Sequence, residues 1–172
     1  GGEFLVLAAD SGRDGYDDRP ELDEQGWATL FTNLSRIREV CATKGVTACI
    51  HPHWGTMVQN VDEVERVLDN STVGLCLDTG HLHYSGMDPA AWLREFAHRL
   101  DYVHFKDVDA ARHREVLSGV PVPFFEACAR GVMCPIGQGC IDYKAVRQVL
   151  TDIDYHGYIT IEQERDPRNS GT

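Results

Sequence analysis

Five short stretches carry the residues able to do chemistry. Four of them are His51-Pro52-His53, Asp78-Thr79-Gly80-His81-Leu82-His83, His104-Phe105-Lys106 and Glu162, and the fifth, the Gly- and Cys-containing segment 131–140, reads only as loop at its end. Asp, Glu and His are the side chains that hold divalent transition metals. Two histidines with one aspartate and one glutamate make a nitrogen- and oxygen-bearing shell suited to Mn, Co, Fe or Zn. Such a shell is too rich in nitrogen for Ca, and magnesium stands last because it prefers oxygen alone. A lysine two residues beyond a histidine adds a fixed positive charge on the same face of a strand.

The elements that must position these residues alternate between strand and helix. Strands are expected at residues 3–9, 47–53, 73–78, 102–108 and 158–162. The first helix is expected over residues 23–44, with Trp27, Leu30, Phe31, Leu34, Ile37 and Val40 on its buried stripe and Gly45 as its stop. Others follow at 61–68, at 88–100 with Asp88 as cap and Pro89 in the first position, around 124–130, and from Asp142 to residue 150. Thr79 and Gly80 read as a turn, and residues 109–140 as a long connection ending in a loop at 134–140. Such alternation implies a parallel sheet in an α/β fold. A doubly wound nucleotide-binding fold would want a Gly-rich strand-to-helix turn, and Gly137-Gln138-Gly139 follows no expected strand. A (β/α) barrel, here only partial with about five parallel strands, is the better reading.

Strand parity then sorts the polar residues. In a parallel barrel alternate side chains face the helices and the interior. With Ala48, Ile50, Leu75, Leu77, Val103, Phe105, Ile159 and Ile161 turned outward, Cys49, His51, His53, Asp78, Tyr102, His104, Lys106 and Glu162 face inward. Four successive strands thus place an ionisable residue inside near the carboxyl end, where barrel enzymes keep their chemistry. Buried charges want a cation or one another, so the alternatives at this point are a metal centre and a polar core network.

The chain has 172 residues, 42% hydrophobic and 25% charged, with a formal net charge of −11. The excess of acid weighs against a nucleic-acid partner, because phosphate binding needs clustered Lys and Arg. Six cysteines include no CxxC pair, so the expectation is a reducing, cytoplasmic setting rather than a disulfide framework. No apolar run is long enough to span a membrane. A monomer and a homo-oligomer both stay open. The chain begins Gly1-Gly2 and ends on the polar stretch 166–172, and both ends read as cut.

Leu77-Asp78-Thr79-Gly80-His81, Val103-His104-Phe105-Lys106-Asp107 and Ile161-Glu162 resemble the xylose isomerase-like (sugar phosphate isomerase/epimerase) TIM-barrel superfamily. In that family a Glu, an Asp, a His and a second Glu on late strands hold one divalent metal. The resemblance therefore implies a metal role for Asp78, His104 and Glu162, with His51 in place of the first Glu and His53 as its fallback. His51-Pro-His-x-Gly-Thr56, the Val-His-Phe-Lys-Asp-Val run, Gly131 to Gly139 and Tyr158-Ile-Thr-Ile-Glu-Gln-Glu164 look further like the inosose (2-keto-myo-inositol) dehydratase family, with Gln138 where Glu is expected. By that resemblance the chain would supply the fourth to eighth strands of a full barrel of about 250 residues or more.

The resemblance implies a metal-dependent lyase dehydrating a cyclic polyol ketone in inositol catabolism, with Mn or Co as the first expected ion and Zn, Fe or Mg after them. Elimination needs one base, an enolate stabiliser and an acid for the departing hydroxyl. Glu162 could be base and ligand together, Lys106 could stabilise the enolate or form an inward ion pair, and His53 and His81 could act as acid or substrate contact. His83 reads as solvated, and His98, His113 and His156 as surface residues. A ketose isomerase or epimerase of the same superfamily is the alternative, weakened by His51. An inactive truncated fragment is the third reading.

Overall fold

The computed structural model describes residues 2–119 and 122–164. The polar end segment 166–172 lies outside them. Five strands form one parallel sheet in the order β1 (Phe4–Leu7), β2 (Thr47–Ile50), β3 (Gly74–Asp78), β4 (Leu100–Phe105) and β7 (Ile159–Ile161). Helices α1 (Glu24–Ala42), α2 (Val61–Asn70), α3 (Thr79–Tyr84), α4 (Pro89–Glu95) and α7 (Tyr143–Asp152) connect them. The sheet curls into a half-barrel, so that Tyr158 on the last strand's approach donates to Glu3 Oε2 beside the first strand. The rings of Phe4, Tyr102 and Tyr158 pack against one another across these strands. This is the α/β partial TIM barrel expected from the alternation.

Local chemistry explains where most helices start. Asp23, Asp78, Asp88, Asp109 and Asp142 each accept a backbone N–H of the first turn that follows. Asn60 forms a reciprocal capping box with Glu63. Such caps satisfy helix N–H groups that have no partner within the helix. The outward residues Leu75, Leu77 and Val103 are fully buried against helix residues such as Val64, Val67, Leu93 and Val149.

Several expectations are corrected. Thr79 and Gly80 are the first residues of α3 rather than a turn, because Asp78 caps that helix. The second strand stops at Ile50, and His53 lies in the following loop. The helix begun at Pro89 ends at Glu95 and passes through a 3-10 turn, Ala97–Arg99, into β4. The fourth strand breaks at Lys106, and β5 (Asp107–Val108) pairs antiparallel with β6 (Met133–Cys134). The long connection also contains an unexpected helix, α5 (Ala110–Ser118), ahead of α6 (Phe124–Ala129), which lies where a helix is expected. Gly137 and Gly139 therefore do follow a strand, a two-residue one too short to show periodicity. Val40 is exposed, so the buried stripe of α1 is narrower than its apolar residues suggest.

Candidate metal centre and substrate site

Register brings the inward residues to one level. Asp78 on β3 pairs with His104 on β4. His104 pairs in turn with Thr160, two residues before Glu162, and the Glu162 N–H donates to the Phe105 carbonyl. The His51 N–H donates to the Leu7 carbonyl at the end of β2. His51, Asp78, His104 and Glu162 consequently each offer a ligand atom within 4.8 Å of the others.

Individual separations are 3.4 Å from His51 Nε2 to Asp78 Oδ2, 3.8 Å from His104 Nδ1 to the same oxygen, and 3.0 Å from His104 Nδ1 to Glu162 Oε2. Donors bound tetrahedrally at about 2.1 Å stand roughly 3.4 Å apart, so the spacing fits one small divalent ion. Asp78 has no solvent exposure. Burial pushes its carboxyl up, yet the hydrogen bond from His51 and the nearby Lys106 outweigh burial and hold it below the usual range. The His104 hydrogen bond lowers Glu162 strongly against burial, with Lys106 adding to the effect. Both carboxylates are thus kept anionic, as ligands must be. Cys76 also lies near His51 and His104. A hydrogen bond with Cys49 and burial raise the pKa of its thiol.

Lys106 is the second organising residue. Its side chain is 1% exposed, and its Nζ lies 2.9 Å from His81 Nε2 and 3.0 Å from Glu164 Oε1. Glu162 Oε2 is 3.3 Å away and Asp78 Oδ2 3.8 Å. Burial disfavours the ammonium, but Asp78, Glu164 and Glu162 overcome it and raise the pKa, so Lys106 stays charged. The Asp-Thr-Gly-His run is built around this lysine. Thr79 Oγ1 accepts the Lys106 N–H at 2.9 Å. Gly80 leaves room for the lysine stem, and His81 takes its head group.

The rings of His53 and His81 are in close contact, with centres 3.7 Å apart and planes tilted by 40°. Burial lowers both, and for His81 the Lys106 charge adds to it. His53 Nδ1 lies 2.7 Å from the Trp54 carbonyl, so it carries the proton and Nε2 keeps the lone pair. Tyr16 and Phe124 pack against His53. A cleft of about 450 Å³ is lined by Tyr16, Trp54, Tyr84 and Pro123 among others, and Tyr16 is the lining residue that packs on His53.

All seven residues singled out from the sequence, His51, His53, Asp78, His81, His104, Lys106 and Glu162, therefore meet at the carboxyl ends of the strands. His83 is elsewhere and half-buried rather than solvated, with its Nε2 at 3.2 Å from Cys140 Sγ. His113 is buried rather than on the surface, its Nε2 bonded to the Tyr84 carbonyl. His98 and His156 are exposed. Glu164 is not among the residues expected from the sequence, although it shares the inward parity of Glu162 and alternation carried two residues further reaches it. Asp107 is also absent from the expected residues, and its outward parity does not single it out. Its buried carboxylate accepts N–H groups from Val108, Gly137, Gly139 and Ile141 and so shapes the loop beside the site.

Fold and side chains together define a half-barrel of the (β/α) class with a polar cluster at the carboxyl ends of its strands. The chain belongs to the xylose isomerase-like TIM barrel family, whose model matches residues 1–172. It is 33% identical over 155 residues to the inosose dehydratase of Clostridium perfringens, covering 88% of this chain and 52% of that protein. With the inosose dehydratase of Geobacillus kaustophilus identity is 36% over 151 residues, covering 85% and 48%. The chain thus spans about half the length of the curated relatives it matches. Among solved structures, the probable 3-DHS dehydratase AsbF of Bacillus anthracis superposes with a TM-score of 0.71 at 18% identity, covering 93% of this chain and 57% of that one. The IOLI protein, described with a bound zinc atom, gives 0.66 at 19%, covering 95% and 54%. At these identities the structural likeness establishes the fold alone. No helix among the described residues is long and apolar enough to cross a membrane.

Proposed function

We propose that the whole protein is a metal-dependent hydro-lyase that removes water from 2-keto-myo-inositol to give a diketone. The observation that carries this reading is the convergence of His51, Asp78, His104 and Glu162 on one point, with the Lys106 ammonium beside it. The naming of the sequence relatives as inosose dehydratases supports the substrate. His51, Asp78, His104 and Glu162 are the proposed ligands, with manganese or cobalt first and zinc, iron or magnesium after. A divalent ion held by these four residues would supply Lewis acidity toward the substrate carbonyl.

The remaining work falls to this chain's own residues. Lys106 keeps its charge and stabilises the developing enolate oxygen. Glu162, held far below the ordinary carboxylate range, is a better ligand than base. His53 has a free Nε2 lone pair, and its ring is fixed by the Trp54 carbonyl. It takes the proton next to the carbonyl, and the C–H electron pair passes into the ring carbonyl system as enolate. When the C–O bond of the β-hydroxyl breaks, His53 returns the proton and the hydroxyl departs as water. Tautomerisation of the resulting enol gives the diketone. His81 holds Lys106 in place. A 1,2-epimerase working with two opposed carboxylates would find His51 where one of them should be.

The test is to incubate the whole protein, metal-free and then loaded with Mn or Co, with 2-keto-myo-inositol and with a panel of ketoses. Mass spectrometry should show metal-dependent loss of water from the inosose. Metal-dependent ketose epimerisation with no water lost from the inosose would replace this reading with the isomerase one.

A further inference from the structure

Beside the proposed metal centre lies a second set of ligating side chains. His53, His81 and Glu164 each offer a donor atom, all within 4.8 Å of one another. His, His and carboxylate is a donor set that suits a second divalent transition metal. The ammonium of Lys106 occupies that place, at 2.9 Å from His81 Nε2 and 3.0 Å from Glu164 Oε1.

We propose that Lys106 acts as a built-in cation that limits the centre to one metal ion, and that His53, His81 and Glu164 form a latent second site which opens when that charge is removed. The inference rests on the metal site proposed for His51, Asp78, His104 and Glu162 and goes beyond it in assigning stoichiometry and a second ligand set.

Two arguments carry it. The first is lone-pair counting. A neutral imidazole has a single ring lone pair. Lys106 Nζ stands 2.9 Å from His81 Nε2, closer than the Trp54 N–H at 3.4 Å from Nδ1, so the lone pair is placed on Nε2 and the lysine uses it. His81 therefore cannot ligate an ion and accept from Lys106 at once, and Glu164 Oε1 is engaged by the same ammonium.

The second argument is charge. Three carboxylates, Asp78, Glu162 and Glu164, lie within 3.8 Å of Lys106 Nζ. One divalent ion plus one ammonium balances three negative charges around the buried Asp78 and Lys106, where excess charge is costly. A second divalent ion alongside the lysine would leave a large positive excess. Without the lysine, one negative charge is uncompensated, and a second cation can replace it.

The decisive experiment is metal counting on the intact protein, by equilibrium dialysis against Mn or Co followed by elemental analysis, for wild type and for Lys106→Met. Methionine keeps the length of the stem and carries no charge. One ion per chain is expected in wild type and two in K106M, with magnetic coupling between the two Mn ions visible in the EPR spectrum. Two ions in wild type would overturn the inference, as would one ion in a K106M protein with native near-UV dichroism. No ion in either folded protein would overturn the underlying metal site as well, so the two failures are distinguishable. Should K106M not fold, His81→Ala and Glu164→Gln decide the matter. Each should keep a single ion with an affinity within about threefold of wild type, and loss of an ion in either would show that the second set is already occupied.

Discussion

Gly80 and Lys106 sit so close that a methyl group on Gly80 would lie 2.7 Å from both Cβ and Cγ of the lysine. Neither atom is the free end of a flexible chain, so the contact can be relieved only by moving the lysine stem. Gly80 lies within α3, where alanine is ordinarily better than glycine by about 1 kcal/mol. Overpacking of a tight interior costs typically about 1–3 kcal/mol. Gly80→Ala is therefore expected to be net destabilising by about 1–2 kcal/mol, read as a lower urea midpoint. A midpoint equal to or above wild type would show that the lysine yields freely.

Asp78 serves two purposes that substitution can separate. Its Oδ1 accepts the His81 N–H at 2.7 Å and caps α3, while Oδ2 faces His51 at 3.4 Å. Asparagine caps as well as aspartate does, whereas alanine cannot. Asp78→Asn should cost metal affinity with the cap retained, and Asp78→Ala should lose a further ~1 kcal/mol of stability. The affinity loss measured by titration calorimetry should exceed the roughly 10–100-fold typical of a residue one step removed from a metal. Equal affinity in D78N and wild type would remove Asp78 from the ligand set.

The inward cluster was legible because strand alternation is a property of the chain itself. Leu75 and Leu77 face the helices, and that forces Asp78 inward at the next change of parity. Alternation could not show the break at Lys106. The β5–β6 pair is two residues on each side and is specified by the carboxylate of Asp107, not by a hydrophobic pattern. The helix at 110–118 escaped for a related reason. Its sequence, AARHREVLS, has few apolar residues, and its one buried side chain is a histidine paired with a backbone carbonyl. Thr79 and Gly80 read as a turn because both are poor helix formers, yet the Asp78 cap and the Lys106 stem decide the conformation there.

Asp107 should prove structural rather than catalytic. Its carboxylate accepts four backbone N–H groups, those of Val108, Gly137, Gly139 and Ile141. Hydrogen bonds to a charged group contribute about 1.5–3 kcal/mol each when they are the donors' sole partner, and losses within one network are not additive. Asp107→Ala is expected to destabilise the chain by about 2–4 kcal/mol. Amide exchange at Gly137 and Gly139 should accelerate before exchange elsewhere. Unchanged protection at both glycines would mean that the loop is held by other contacts.

Acid should weaken the metal-free protein in two stages. Burial, with Lys106 adding to it, holds His81 well below the ordinary imidazole range, and burial lowers His53 too. In the unfolded chain both titrate near pH 6.5. As pH falls through that value the unfolded chain binds protons that the folded chain refuses, so stability declines. Above it both states are neutral and these residues add no slope. The decline should approach ~1.4 kcal/mol per pH unit from His81 alone. A second fall is expected below about pH 4, where Asp78 and Glu162 protonate in the unfolded chain while their lowered folded values keep them ionised. Lys106, raised by its carboxylates, contributes stability lost only in strong base. Urea midpoints that stay level from pH 7 to 5 would show that His81 accepts a proton in the folded state.

His53 is the residue on which the proposed proton transfer depends, and its role can be separated from metal binding. Its Nδ1 is committed to the Trp54 carbonyl at 2.7 Å, and its ring lies against His81 and Tyr16. His53→Gln keeps a polar side chain of similar reach but has no titratable nitrogen. Losing a general base typically costs about 10²–10⁴ in rate, so kcat for loss of water should fall by that factor with metal content unchanged. Exchange of the proton next to the substrate carbonyl with deuterated solvent should fall in parallel, because the same nitrogen accepts it. If exchange continued at the wild-type rate in H53Q while dehydration stopped, Glu162 would be the base and His53 only the acid for the departing hydroxyl. If both continued, His53 would have no part in the chemistry and its ring would serve only to pack against His81, the residue that holds Lys106.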